Sequence, residues 1–387
     1  MRSIYLDYNS STPLAGAVRQ AIAPFYGELF ASPGNPHWLS RASEEAIEDA
    51  RNQVSIMLGC LPSEIVFTSG GTESINLALL GYAKAISRKT SSRSKPEIII
   101  SSMEHLPVRN TAEHLKSQGW QVTQLPCRPD GSVDVDTLRS AIGKKTRLIS
   151  IQLANAQVGT IQEIAAMARL PRPKQALFHT DATQAIGKFN VDVETLGVDL
   201  LSISGHKMYA PKGVGGLYIR SGITLENILH GGWQEGGLRP GTENIPAIVG
   251  LGIASQLVEA ARDESAERLS FLIHSFVTRL EQTAEETFTV HGHPRNRLPN
   301  TASIVLKGRS GLELLRRVPE LFLGLAIPHS IPSLHTFQQT PFSAMGVTYE
   351  EAIATVRVSV GWNTTEQETD SAATMLGEAY RQTQATA

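Results

Sequence analysis

Cysteine is scarce in this chain: Cys60 and Cys127 are the only two in 387 residues. Two thiols cannot build a disulfide framework or a thiolate-held metal cluster, so no metal site is expected, and a reducing cytoplasm is the expected location. Long hydrophobic runs are missing too. No stretch approaches the roughly 18 apolar residues that a membrane-spanning helix needs. Residues 1–7 lack the apolar core of a secretion signal. Neither sign of charge dominates, with 35 basic and 37 acidic residues. The chain therefore presents no global field for nucleic acid or a membrane surface, and a small-molecule partner is expected. Repeats and low-complexity tracts are absent; the one linker-like stretch, the basic and serine-rich segment 87–96, reads as an exposed loop. What is present is 41% hydrophobic content, enough for a large core and two domains at this length.

The most informative stretch is residues 200–213. An apolar run from Leu200 reads as a buried strand and breaks off in Ser204, Gly205, His206 and Lys207. Open α/β sheets keep their chemistry just beyond such strand ends. Burial and cationic neighbours lower a lysine's pKa there and free its lone pair to form an imine with a carbonyl cofactor. Upstream, Asp181 follows another short apolar run, which places a carboxylate near the same sheet edge. A carboxylate facing the protonated ring nitrogen, together with the imine-forming lysine, is the pairing that pyridoxal 5'-phosphate (PLP) requires.

A second signal lies at residues 64–76. A strand feeds Gly70 and Gly71, and an amphipathic helix over 74–86 starts at once. Unpaired amides at its start converge on one spot and suit a phosphate, with Gly71 supplying a backbone amide and Thr72 a hydroxyl. Further strands are expected over 96–101 and 146–153, ending near His105 and Asn155, and a returning strand over 213–220. Residues 230–244 are too glycine-rich for regular structure. The pattern over 247–283 predicts one long helix leading into a smaller C-terminal part. That part reads as strand 303–306, helix 311–323, strand 355–360 and a final helix opened by a capping box from Thr365 to Glu368.

These motifs resemble the class V aminotransferases, and among them most nearly the cysteine desulfurases and selenocysteine lyases. The resemblance implies the α/β fold type I of PLP-dependent transferases. In it a large domain (residues 15–250) carries a mostly parallel, seven-stranded sheet, beside a smaller α+β domain (1–14 and 251–387). It implies that Lys207, His105 and Asp181 are catalytic, with His105 stacked on the cofactor ring. It implies further that Asn155 and Gln184 contact the phenolic oxygen, and that Ser204 and His206 complete the phosphate site with Gly71 and Thr72. Thr242 would reach the phosphate held by a partner subunit, making a homodimer with shared sites. Arg357 would grip the α-carboxylate of a small amino-acid substrate through two parallel hydrogen bonds, with Asn35 in a nearby turn. Residues 5–13 would lie beside the active site.

The resemblance breaks in two places. Ala156 and Gln157 follow Asn155 where the family usually has Asn and Glu. Desulfurases also carry a mobile-loop cysteine that takes the substrate sulfur as a persulfide, and residues 325–337 hold no cysteine. Ser333 falls near that position, with His329 and His335 alongside, and a serine hydroxyl is not ionised near neutral pH. Cys60 and Cys127 read as incidental. Three activities follow. The first is cleavage of a carbon–sulfur or carbon–selenium bond without a protein persulfide. The second is another PLP reaction, such as transamination, epimerisation or decarboxylation. The third is a non-catalytic binding subunit, against which the full set of cofactor residues argues.

Overall fold

A computed structural model describes residues 3–87, 95–327 and 334–384. Segment 87–96 therefore lies mostly outside the described residues, as do His329 and Ser333, and nothing is described of the His335 side chain. Thirteen strands are present in the described residues. In chain order they are β1 (Ile4–Tyr5), β2 (Ile65–Thr68), β3 (Glu97–Ser101), β4 (Gln121–Leu125), β5 (Thr146–Ser150), β6 (Leu177–Asp181), β7 (Leu200–Ser204), β8 (Gly215–Ile219), β9 (Thr289–His291), β10 (Thr301–Val305), β11 (Leu321–Phe322), β12 (Gly324–Leu325) and β13 (Thr355–Ser359).

Seven of them form one sheet in the order β2-β8-β7-β6-β5-β3-β4. All neighbours run parallel except β8, which is antiparallel to both β2 and β7. The sequence shows why this sheet is covered on both faces. Its inner strands carry apolar residues at successive positions, and successive side chains point to opposite sides. Ile98, Ile100, Leu148, Leu200 and Leu217 enter one core with the helices Gly71–Ser87 and Leu106–Ser117. Their neighbours Ile99, Ile149, Leu201 and Tyr218 enter the other, with the helices Trp38–Leu58 and Ile245–Ala260. The α/β architecture is thus the expected one.

A second, four-stranded antiparallel sheet has the order β12-β13-β10-β9 and its own core, packed under the helices Arg262–Ala284 and Glu366–Gln384. β1 pairs in parallel with β11, and the chain then runs along the end of β13, where Ser359 N–H donates to Leu6 O (2.8 Å). That path carries residues 7–10 between the two sheets.

Two expected elements differ. The single helix over 247–283 is two helices, Ile245–Ala260 and Arg262–Ala284, bent by 80°. The first is apolar nearly all round and wedges against the helix Trp38–Leu58. A Cβ on its Gly252 would stand 2.6 Å from Ala50 Cα, so only glycine allows that approach. The second buries one stripe, Leu269, Leu272, Phe276 and Leu280, in the small-sheet core. The two segments have different partners, and periodicity alone does not show where the chain turns between them. The helix over 311–323 likewise ends at Arg317, because β11 and β12 find partners in β1 and β13. The capping box forms as read: Thr365 Oγ1 accepts from Glu368 N, and Glu368 Oε2 accepts from Thr365 N. Among the described residues, no single helix is long and apolar enough to cross a membrane.

Candidate active site

A cavity of about 380 Å³ opens at the carboxyl edge of the large sheet, within the size range of small-molecule sites. Lys207, Asp181, His105, Asn155, Gln184 and Arg357 all line it. Five come from successive strand ends or the turns after them, and Arg357 from the middle of β13. No cysteine lines it.

Lys207 closes a short helical turn directly after β7. Its Nζ donates to the carbonyls of Asn9 and Ser10, both at 2.7 Å. Burial, and then the charge of Arg357, bring its pKa down to about 8, so a sizeable share of neutral amine exists close to neutral pH. Asp181 ends β6, is buried, and accepts from Thr183 N–H through Oδ1 (2.9 Å). His105 opens the helix Leu106–Ser117 with its ring exposed to the cavity; desolvation by the surrounding protein lowers its pKa and favours neutral imidazole. Asn155 uses its side-chain oxygen to accept from Gln157 N and Val158 N (2.9 and 3.0 Å), which shapes the turn after β5. Gln184 donates from Nε2 to Asn9 O (3.0 Å).

The helix start at Gly71 packs tightly on the sheet edge. A Cβ there would stand 2.8 Å from Thr183 Cγ2 and 3.4 Å from Ser204 Cβ. Gly70 has φ +152°, a conformation open mainly to glycine. The first-turn amides therefore lie against Ser204 and Thr183 with nothing bulkier between, as a phosphate cradle requires. Thr72 is exposed beside it. His206 turns to Ser11, ring nitrogen to Oγ at 3.2 Å, and burial with the Lys207 charge brings its pKa to about 4. Thr242 and Asn35 are exposed and stand outside the cavity lining; Asn35 N–H instead donates to Ser40 Oγ (2.8 Å).

Arg357 is buried, and its guanidinium is engaged inside the chain. Nη2 meets Asp7 Oδ1 at 2.5 Å, Nη1 donates to Ala156 O and Gln157 Oε1 at 3.2 Å, and Nε is buried without a partner. A bound carboxylate would join an arginine that Asp7 already neutralises.

The structure assigns contacts to Asn9, within the 5–13 segment expected beside the site, and adds Glu104, which the sequence does not single out. Asn9 links Lys207 and Gln184 to the turn after β5 and to the second sheet: its N–H donates to Ser359 Oγ (3.0 Å), its side chain donates to Thr301 Oγ1 (2.8 Å) and Ala156 O (3.0 Å), and its carbonyl receives Lys207 and Gln184. Glu104, fully buried beside His105, accepts from Ser101 Oγ (2.5 Å) and Gln152 N (2.9 Å), while Oε2 has no partner. Burial pushes its pKa up to about 8, so it is mostly protonated at neutral pH. Its place after an apolar strand, next to His105, was the available signal. Thr336, Gln339, Thr340 and Pro341 form the outer wall, tied back by a hydrogen bond from Arg109 to the Gln339 carbonyl.

The family model for class V aminotransferases matches residues 4–371. The chain belongs to that family. It is 38% identical over 367 residues to a cysteine desulfurase IscS of Dictyoglomus turgidum, covering 95% of this chain and 92% of the relative. It is 36% identical to the cysteine desulfurase IscS 1 of Archaeoglobus fulgidus, covering 95% and 94%. Among solved structures, a NifS-like protein superposes with a TM-score of 0.89 at 32% identity, covering 97% of this chain and 98% of that one. SspA in complex with cysteine superposes at 0.79 with 34% identity, covering 92% and 99%. The chain is accordingly a PLP-dependent enzyme of the cysteine desulfurase-like group. The donor set fits that cofactor: an amine and a carboxylate on adjacent strand ends, a glycine-held cradle, and one cavity that reaches the first two.

Proposed function

We propose that this enzyme cleaves the carbon–sulfur or carbon–selenium bond of a small amino acid such as cysteine, without a persulfide on a loop cysteine. The observation that carries this reading is a cavity that holds Lys207, Asp181 and Arg357 together and contains no thiol. Cys60 is packed against the large core, and burial pushes its pKa up to about 12. Cys127 donates to Ala344 O at 3.2 Å, and burial raises its pKa as well. Neither is poised as a thiolate nucleophile.

Lys207, Gly71, Thr72, Ser204, His206, Asn155, Gln184 and Asp181 would hold the cofactor, with His105 over its ring. When bound, PLP supplies an electron sink that acidifies the substrate's α-proton. Lys207 has the amine to take that proton and return it. Arg357 would hold the α-carboxylate, with Asp7 and Gln157 keeping the guanidinium in place. Neutral His105 can accept or relay a proton on the side of the cavity facing Glu104. The departing sulfur then has two outlets. It can leave protonated as sulfide, with pyruvate and ammonia as the other products, or pass to an external thiol, leaving alanine.

A homodimer fits the exposed aromatic side chains Tyr26, Phe30, Trp38 and Trp233 and would give Thr242 and Asn35 a site to serve. The large domain (15–250), the small domain (1–14 and 251–387) and a cytoplasmic location belong to the same reading.

The test is purified enzyme with PLP and L-cysteine, L-selenocysteine or L-cystine, with and without dithiothreitol, assaying sulfide, alanine, pyruvate and ammonia. Thiol-dependent alanine, or pyruvate with sulfide, supports the reading. Turnover of sulfur-free amino acids alone would move the enzyme to transamination, epimerisation or decarboxylation.

A further inference from the structure

Lys188 is a buried lysine with no acidic partner among the described residues. It lies four residues beyond Gln184, is 6% exposed, and donates from Nζ to the Gln184 backbone carbonyl (2.9 Å) and to Gln184 Oε1 (2.8 Å). On its other side is a void of about 10 Å³ that it shares with Lys207, Tyr8, Thr12 and Asn300, and no carboxylate lines it. The charges that act on Lys188 are those of Lys207 and Arg357, both positive; with burial they hold its pKa well below that of an ordinary lysine. An apolar side chain would be the simpler way to fill such a space. What the amine does there is satisfy Gln184.

The Gln184 side chain has two ends, and the Asn9 carbonyl in front of it can only accept. Nε2 must therefore face Asn9 and the cavity, which leaves Oε1 pointing inward. A buried oxygen with no donor is costly, and turning the amide over would set two carbonyls against each other. Lys188 removes that conflict. Resting on the proposed cofactor placement, we infer that Lys188 is a positioning residue: by donating to Gln184 Oε1 it fixes the amide so that Gln184 offers only N–H to an oxygen anion held beside Lys207. Lys188 itself does not reach the reacting atoms.

The experiment compares wild type, Lys188→Met, Gln184→Leu and the double variant, all loaded with PLP. The readouts are the pH midpoint of the cofactor's visible absorbance, kcat and KM for cysteine, and Tm. Losing the N–H leaves the oxygen anion more basic, so it holds the neighbouring proton to higher pH. Lys188→Met is expected to raise the midpoint by about one unit and to lower kcat about tenfold with little change in KM. Gln184→Leu should give the same rise, and the double variant no more than either alone. An unchanged midpoint in Lys188→Met, or shifts that add in the double variant, would overturn the inference. If Lys188→Met does not fold, Gln184→Leu carries the test, since an unshifted midpoint there overturns it equally. A wild type that shows no visible band sinks the proposed function along with the inference, whereas a band with no shift sinks the inference alone.

Discussion

The two sides of the cavity are built differently. The inner side is built mainly from consecutive strand ends of one sheet, each fixed by ladder hydrogen bonds on both edges and by core on both faces, with Arg357 entering from β13 of the second sheet. The outer side, residues 334–341, is made of short helical turns against a small satellite core, held in part by the hydrogen bond from Arg109 to Gln339. A sheet edge places atoms to within fractions of an ångström because its backbone cannot shift without breaking a ladder. A wall of short turns can change in composition while the fold survives. The groups poised for the chemistry sit on the first side, and the more adaptable wall faces the same cavity.

Mutations can break that contrast. The largest effect is expected on the inner side: Lys207→Ala should lower turnover by about 10³- to 10⁴-fold and remove the cofactor's lysine-dependent absorbance, seen by spectrum and by PLP retention on gel filtration. A mutation of the outer wall with an effect as large would invert the picture. Arg357→Met comes next. Loss of a charge-assisted pair is worth about 1.5–3 kcal/mol, so KM for the amino acid should rise about 10- to 100-fold. Because the Arg357 charge helps to lower the pKa of the free Lys207 amine, its removal should also move the pH dependence of PLP loading onto the cofactor-free protein to higher pH. A pH profile that stays in place would show that burial alone sets Lys207.

Glu104→Gln is expected to do less and to do it in a pH-dependent way. The carboxyl is raised in the folded state to about 8, above its unfolded value of 4.5. The folded protein therefore binds the extra proton in that window, and the stability this group contributes is complete below pH 4.5 and lost as pH rises through 8. A glutamine, neutral throughout, should flatten that part of the stability curve in urea unfolding and keep activity at pH 7. If the slope is the same in both proteins, Glu104 is ionised in the fold. The smallest effect is expected for Cys60→Ser with Cys127→Ser. Alanine or sulfide production should stay within about twofold of wild type, because neither thiol reaches the cavity. A collapse of activity would restore a protein persulfide to the mechanism.

The same contrast explains what the sequence made legible. Each strand end announces itself locally: an apolar run stops, and Asp181 or Lys207 follows within a residue or a few. The glycine pair at 70–71 likewise stands immediately before its helix. The contacts that complete the site are not local. Arg357 meets Asp7 across 350 residues, and Asn9 meets Thr301 across 292. Nothing in the composition near Asn9 marks it as a junction. Arg357 was found through the family resemblance alone, since an arginine inside a short apolar strand otherwise reads as an interruption. The 80° bend after Ala260 was missed because both halves are helical by period and only their partners differ. Lys188 carries no local mark in the sequence, since its burial and its bonds to Gln184 appear only in the fold.

Asn9 also bears on how anything enters. One residue spans both sheets and the turn after β5, and its carbonyl takes the Lys207 amine. It works as a clasp: the two halves of the molecule cannot swing apart at the floor of the cavity without undoing all of these bonds together. The bonds of Asn9 do not include the rim at 334–341, so that rim rather than the floor is the expected way in.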